Sequence, residues 1–446
     1  MSNIMNRADE TAILRKNAIR LIPFLAVLYL LYSFDRSNVS MAALTMNKSL
    51  AFSATVFGIG SGIFFLGYVA FAIPSNLMLE RHGARIWICR IMVVWGIVSA
   101  GTGLISGAWQ FYAARFVLGL AEAGFFPGVI YFLTLWYPAA YRARIVGLFM
   151  LAYPLAGAFG SPLAGFIMTQ CDGLLGIEGW RWMLFLEGVP AIIAGLACLV
   201  VLVDRPAKAR WLEPAERDWL EGVLAKEREQ SQKVQNFTLL EGLTDRRVLV
   251  LCIMFLFQNA GLYGSMFWIP QIIKVFVPSD SLVGVVASIP YFCAAFVMYF
   301  FAHHSDVTGE RIWHLVATCA VAALGYVITG IWLSTPIVAI GGLVLVCIGI
   351  YAAFPVFWTL PTSFLTGRAS AGALGLIIAC ANISGIIVLP LIGWSKDVTG
   401  AFNAAMFGLG VVMALAAVLT VVVKAISPAA SNSAPASTTG SPTRAT

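Results

Sequence analysis

The sequence predicts an all-α integral membrane protein with twelve transmembrane helices in two pseudo-symmetric six-helix bundles. Three observations carry this. First, 60% of the 446 residues are hydrophobic and only 11% are charged, with a mean hydropathy of +0.87. A soluble protein carries about 25% charged residues, so this chain lacks the polar surface to cover several separate cores. Second, it contains twelve apolar stretches near the length of about 20 residues that a membrane span needs. Third, the two halves repeat one another.

The spans are read at 21–43, 55–79, 86–106, 109–135, 145–168 and 183–203 in the first half. Those of the second half are 248–273, 283–302, 312–332, 337–358, 372–394 and 401–424. They do not alternate in polarity as barrel strands do. Trp109, Trp136, Tyr137, Trp180, Trp332 and Trp394 fall near span ends, where an interfacial aromatic belt is expected. Residues 1–20 read as a cytoplasmic N-terminal segment, 21–203 as the first bundle and 248–424 as the second. Between them, residues 204–247 form a polar loop with an amphipathic helix, balanced at nine basic and nine acidic residues. The Ser-, Pro- and Thr-rich stretch 425–446 reads as a disordered cytoplasmic tail.

Lys and Arg placement sets the orientation. Arg7, Arg15, Lys16, Arg20, Arg81, Arg85, Arg90, Arg142, Arg144, Arg311, Arg368 and the central loop share one side. Only Lys48, Arg181, Lys274 and Lys396 lie on the other. The positive-inside rule then places both termini in the cytoplasm. The net charge of +7 is this bias in sum and shows no nucleic-acid-binding stripe. No cleaved signal peptide is apparent, because the first apolar run follows a polar stretch and is interrupted by Asp35-Arg36. The eight cysteines form no C-x-x-C pair and read as buried thiols.

The repeat is in register. Glu80-x-x-Gly83-x-Arg85-Ile86-Trp87 recurs as Asp306-x-x-Gly309-x-Arg311-Ile312-Trp313. Phe126-Pro127 recurs as Phe354-Pro355. Gly147-Leu148, Gly157, Pro162-Leu163 and Gly165 recur as Gly375-Leu376, Gly385, Pro390-Leu391 and Gly393. Two repeats around a central cavity are a transporter architecture. The acidic-x-x-Gly-x-Arg element falls on a short connection in each half. Its glycine permits a tight turn and its charges can bridge helix ends, so Glu80, Gly83, Arg85, Asp306, Gly309 and Arg311 read as conformational latches. Simple positive-inside anchoring is the plainer alternative.

Asp35, Arg36, Arg115, Glu122 and Glu187 lie inside apolar stretches of the first half. Each costs several kcal/mol unless paired or hydrated. Asp35 lies 14 residues into its span and Arg115 six into one that runs the other way. Both come about 21 Å from the cytoplasmic edge, so an Asp35–Arg115 interaction is expected in at least one state. Arg offers a planar fork for a carboxylate, and a buried Asp or Glu is titratable. Together they are a minimal set for proton–anion symport. An inter-helix ion pair without a substrate role is the plainer alternative, and the one preferred for Glu187.

These residues resemble the anion:cation symporter branch of the major facilitator superfamily. The likeness runs to about residue 425. It rests on Phe34-Asp35-Arg36-Ser37-Asn38, Pro74-Ser75-Asn76-Leu77, Gly83-Ala84-Arg85, Arg115-Phe116, Gly119 through Gly128, Gly179-Trp180-Arg181-Trp182, Leu186-Glu187-Gly188 and Asp204-Arg205-Pro206. The resemblance implies proton-coupled uptake of organic acids such as tartrate, phthalate or 4-hydroxyphenylacetate, by rocking of two bundles. It implies that Arg36 and Arg115 bind the substrate carboxylate and that Asp35 and Glu122 are the coupling acids. It also implies that Tyr68 and Asn382 hydrogen-bond the substrate. Tyr153 stands where sugar-acid transporters can carry an amide, which speaks against a sugar acid.

The expected function is therefore a proton-coupled symporter importing a small organic carboxylate, with protons as the coupling ion and no other cofactor. A functional monomer in a bacterial inner membrane is expected. The alternatives are a proton-driven efflux antiporter of the same fold and a sugar-acid symporter. Enzyme chemistry is disfavoured, since neither H-E-x-x-H nor a P-loop lysine occurs. His303, His304 and His314 cluster at one turn, but no metal site is assigned.

Overall fold

The computed structural model describes residues 7–138, 141–142, 145–146, 149, 152–233, 244–364 and 367–426. Arg144, Gly147, Leu148 and the tail from 427 lie outside the described residues. The first half contains α1 (Arg7–Ser49), α2 (Ala54–His82), α3 (Ala84–Thr102), α4 (Ala108–Glu122), α5 (Phe125–Thr134), α6 (Ala152–Gln170) and α7 (Gly179–Val201). The linking segment contains α8 (Pro214–Lys233). The second half contains α9 (Arg246–Lys274), α10 (Asp280–Thr308), α11 (Ile312–Ile331), α12 (Pro336–Phe357), α13 (Thr359–Phe364), α14 (Gly367–Thr399) and α15 (Asn403–Ile426). Among the described residues, eleven helices are long and apolar enough to cross a membrane, α4 and α5 counting as one. The fifth predicted span corresponds to α6, and 145–151 ahead of it are described only in part.

Three details differ from the sequence reading. The polar residues after Arg7 belong to α1, because no helix breaker separates them from the apolar run. Its first turns dock on the linker, through Lys16–Glu216 (2.6 Å) and Asn17, which accepts from the Trp211 indole (2.9 Å). The fourth span is not continuous but breaks at Gly124, whose φ of +90° is a left-handed conformation that favours glycine. Trp136, Tyr137 and Trp180 are fully buried in the protein rather than turned outward. Trp136 stacks on Trp211 (centroids 5.4 Å) and donates to the Val203 carbonyl (3.1 Å).

The start of α1, the end of α15, the described part of the linker and the α10–α11 turn share one end. There Lys424 of α15 lies 5.1 Å over the Trp313 ring. At the other end the halves meet backbone to backbone. Gly58 of α2 abuts the Leu389 carbonyl of α14, and Gly284 of α10 abuts the Ser161 carbonyl of α6. A side chain at either position would clash, as at other close helix crossings in membranes. Asp397 of α14 completes the seam by accepting from the Ala54 and Thr55 amides (3.0 and 2.7 Å) and the Thr55 hydroxyl (2.6 Å). It thus caps the start of a helix in the opposite half, where a negative charge also meets the positive end of the helix dipole.

Asp397→Ala is expected to loosen this seam. Spin labels on the first turn of α2 and the last turn of α14 should show a longer-distance population than the parent protein. An unchanged distribution would assign closure to the glycine contacts alone.

Candidate functional site

The four central ionisable residues are brought together from α1 and α4, and all are buried: Asp35 at 4% exposure, Arg36 at 8%, Arg115 at 2% and Glu122 at 0%. Arg36 Nε donates to Glu122 Oε2 at 3.1 Å. The Arg36 guanidinium lies 4.5 Å from the Tyr32 ring centre, 4.9 Å from Tyr68 and 5.2 Å from Phe64. Three aromatic faces therefore hold the cation in an otherwise apolar wall. Its Nη2 has no hydrogen-bond partner among the described residues.

The expected Asp35–Arg115 ion pair is not formed in this arrangement. Asp35 Oδ1 instead accepts from the Ser99 hydroxyl and faces Asn38 Nδ2 at 3.5 Å. Arg115 packs 4.7 Å over Phe64, the same ring that flanks Arg36, with its Nε and Nη2 unpartnered. The direct pairing is thus crosswise, Arg36 with Glu122. Asp35 Oδ2 and Glu122 Oε1 have no donor among the described residues. Immediately after Glu122 the helix ends, and the backbone turns at Gly124 against the Ser75 side chain.

Arg36 faces a cavity of about 120 Å³ between the halves. Tyr29, Tyr32 and Tyr68 line it from the first half together with Tyr153. Asn259, Tyr263, Tyr351 and Asn382 line it from the second half. Among the described residues, Arg36 is the only charged group in this lining. The Tyr263 hydroxyl donates to Asn382 Oδ1 (3.4 Å), and the Tyr153 hydroxyl faces Met266 Sδ (3.7 Å). Arg36, Tyr68, Tyr153 and Asn382 therefore share one wall-to-wall cavity, while Asp35, Arg115 and Glu122 lie behind it. Asn259 and Ser99 were not singled out from the sequence. A polar side chain at mid-span was the available signal for both.

The latch elements sit elsewhere. Gly83 turns at φ +86°, and Asp204 Oδ1 accepts from the Arg85 amide at 2.9 Å. Arg85 also reaches the Leu199 carbonyl. Glu80 is exposed without a bond among the described residues, so Asp204 is the acid that ties the α2–α3 turn to the end of α7. In the second half Arg311 pairs with Asp306 at 2.7 Å, across the glycine turn at Gly309. Beside it His304 Nδ1 meets His314 Nε2 (2.8 Å), and His314 Nδ1 meets Glu310 (3.0 Å). Burial opposes the Glu310 charge, but hydrogen bonds from the Trp313 amide and from His314 hold its carboxyl below the usual range.

Arg36→Ala leaves Glu122 buried without its partner and is expected to cost about 3–5 kcal/mol of stability, read as a lowered melting point in detergent. The double variant Arg36→Met/Glu122→Gln should recover most of that loss. If the single variant melts like the parent, the pair carries no structural weight.

A family description, Major Facilitator Superfamily, matches residues 25–388. An Agrobacterium vitis protein provisionally named a tartrate transporter is 44% identical over 95% of this chain and 97% of its own length. The Quinolone resistance transporter of Acinetobacter baumannii is 36% identical over 93% of this chain and 96% of its own. Among solved structures, the D-xylose–proton symporter superposes with a TM-score of 0.74, at 16% identity, covering 90% of this chain and 97% of that one. A bacterial Spinster homologue captured inward-facing gives 0.72, at 18% identity, covering 92% and 98%.

Proposed function

Because the chain belongs to the Major Facilitator Superfamily and is a secondary transporter of organic substrates rather than an enzyme, we propose that it imports a small organic carboxylate together with protons. The observation that carries this is Arg36 on the cavity wall, paired with Glu122 behind it, with its Nη2 left to donate to an anion. In the central cluster Arg36 and Arg115 balance Asp35 and Glu122. A substrate carboxylate that binds Arg36 competes with Glu122 and adds one negative charge to a low-dielectric site. One proton, taken by Glu122 or Asp35, restores neutrality. A dianion such as tartrate takes two. Anion and proton thus enter the occluded state together, which is what couples their transport.

The cavity supports the choice of substrate. One guanidinium fits one carboxylate, and the phenols and amides of Tyr263, Asn259 and Asn382 offer neutral hydrogen bonds to the far end. The stacked tyrosines suit a flat or compact acid, such as an aromatic acid or tartrate, the substrate named for the Agrobacterium relatives. The positive-inside bias places the termini in the cytoplasm, in a bacterial inner membrane. On that orientation the glycine seam and Asp397 close the outer face. Rocking of the halves then exposes the same site to either side by turns. The Acinetobacter relative named for quinolone resistance favours a second reading, proton-driven export of an aromatic acid from the same cavity.

Proteoliposomes with an inward proton gradient distinguish the two. Import predicts gradient-dependent accumulation of tartrate, phthalate or 4-hydroxyphenylacetate. Accumulation of none of a panel of organic acids, or accumulation indifferent to collapse of the gradient, would sink the symport reading. Glu122→Gln should keep counterflow exchange and lose proton-driven accumulation. A variant that still concentrates substrate would remove Glu122 from the coupling role.

A further inference from the structure

The two halves also touch through aromatic rings, further in than the glycine seam. Phe65 of α2 lies on Gly385 of α14, and Tyr291 of α10 lies on Gly157 of α6. A Cβ at Gly385 would stand 2.6 Å from Phe65 Cε2, and one at Gly157 would stand 2.7 Å from Tyr291 Cγ. Each ring is buried and seats on a position of the opposite half that offers only backbone. Each also backs a tyrosine of the cavity lining. Phe65 meets Tyr263 with ring centres 4.3 Å apart, and Tyr291 meets Tyr351 at 6.0 Å. The two contacts therefore lie at the level of the cavity.

The arrangement obeys the repeat. α2 and α10 each have 29 residues, and Gly58 and Phe65 hold the places in α2 that Gly284 and Tyr291 hold in α10. Gly385 and Gly157 are matched positions of α14 and α6. Each crossing thus has two stations. The outer one sets a glycine against a backbone carbonyl, Gly58 on Leu389 or Gly284 on Ser161. The inner one, two helical turns or about 10 Å along the helix, sets a ring on a glycine. The two differ mechanically. Rigid bodies that keep two points in contact can only turn about the line joining those points. A ring on a glycine can tilt in place, because no Cβ interlocks with it. The outer stations lie off that line and must separate when one half turns against the other.

Resting on the rocking of the halves in the symport reading, we propose that Phe65–Gly385 and Tyr291–Gly157 are the two bearings of that motion. They stay in contact throughout the cycle, and the axis through them runs at the level of the cavity. The binding site then keeps its place while the outer and inner ends open by turns.

The test bridges cysteine pairs with a short, reducible bifunctional thiol reagent and follows tartrate counterflow in proteoliposomes, the reduced sample being the control. Phe65→Cys/Gly385→Cys and Tyr291→Cys/Gly157→Cys should keep, when bridged, the counterflow of their own reduced samples. Thr55→Cys/Asp397→Cys, at the seam, should lose it when bridged and regain it on reduction. Loss of counterflow on bridging either inner pair means that the contact opens, and overturns the proposal. Where an inner pair does not fold or exchange, spin labels decide at the outward-facing Leu66 with Ile387 and Phe159 with Phe292. Gly58→Ala, which wedges a methyl group against the Leu389 carbonyl, should leave both spacings unchanged while the seam widens. Lengthening of either spacing overturns the bearings. If the bridged seam pair still exchanges, it is the rocking that fails. If the parent exchanges no organic acid, it is the substrate reading that fails, and the spin labels still decide the bearings.

Discussion

Charge neutrality inside a low-dielectric bundle is the constraint on which the rest of this structure depends. Two guanidiniums and two carboxyls are removed from water near the middle of the first half. Each alone would cost several kcal/mol, and only as a balanced set are they tolerable. The direct pairing of Arg36 with Glu122 uses one arginine and leaves the other packed on Phe64. A balanced cluster with an unsatisfied donor on the cavity side is stable when empty and unbalanced when an anion arrives. That imbalance is the physical origin of coupling in this account.

The surrounding fold keeps the cluster dry on one side and reachable on the other. Aromatic rings from α1 and α2 flank Arg36, which meets Glu122 on one side and the cavity on the other. The break at Gly124 ends α4 directly beyond Glu122. Across the cavity the second half brings neutral amides and phenols, so the two halves divide the work between charge and shape. Their contact through closely packed glycines and the Asp397 cap is confined to one end.

Much of this was legible in the residues. The span pattern, the repeat and the in-span charges can be read because water, lipid and charge differ so strongly in free energy. Rotation of each helix is far harder to read. A helix that is apolar all round has no face the sequence marks, since lipid and protein core are equally apolar. For that reason the depth argument brought Asp35 and Arg115 to one level but could not see that Arg115 packs on Phe64 while Glu122 pairs with Arg36. The cavity lining from α9, α12 and α14 was hidden in the same way. The break after Glu122 depends on one backbone angle at Gly124, in a stretch that reads as continuous helix by composition. Trp136 and Trp180 lay at span ends, as interfacial residues do, and only tertiary packing shows that they are core.

The central claim is that a substrate carboxylate displaces Glu122 from Arg36 and is neutralised by a proton. It is tested most directly by measuring proton uptake when substrate binds to the purified protein in detergent, in weak buffer with a pH indicator. The account predicts uptake of about one proton per monocarboxylate bound, since binding then raises the proton affinity of the cluster, and loss of that uptake in Glu122→Gln. Saturable substrate binding with no accompanying proton uptake would contradict it.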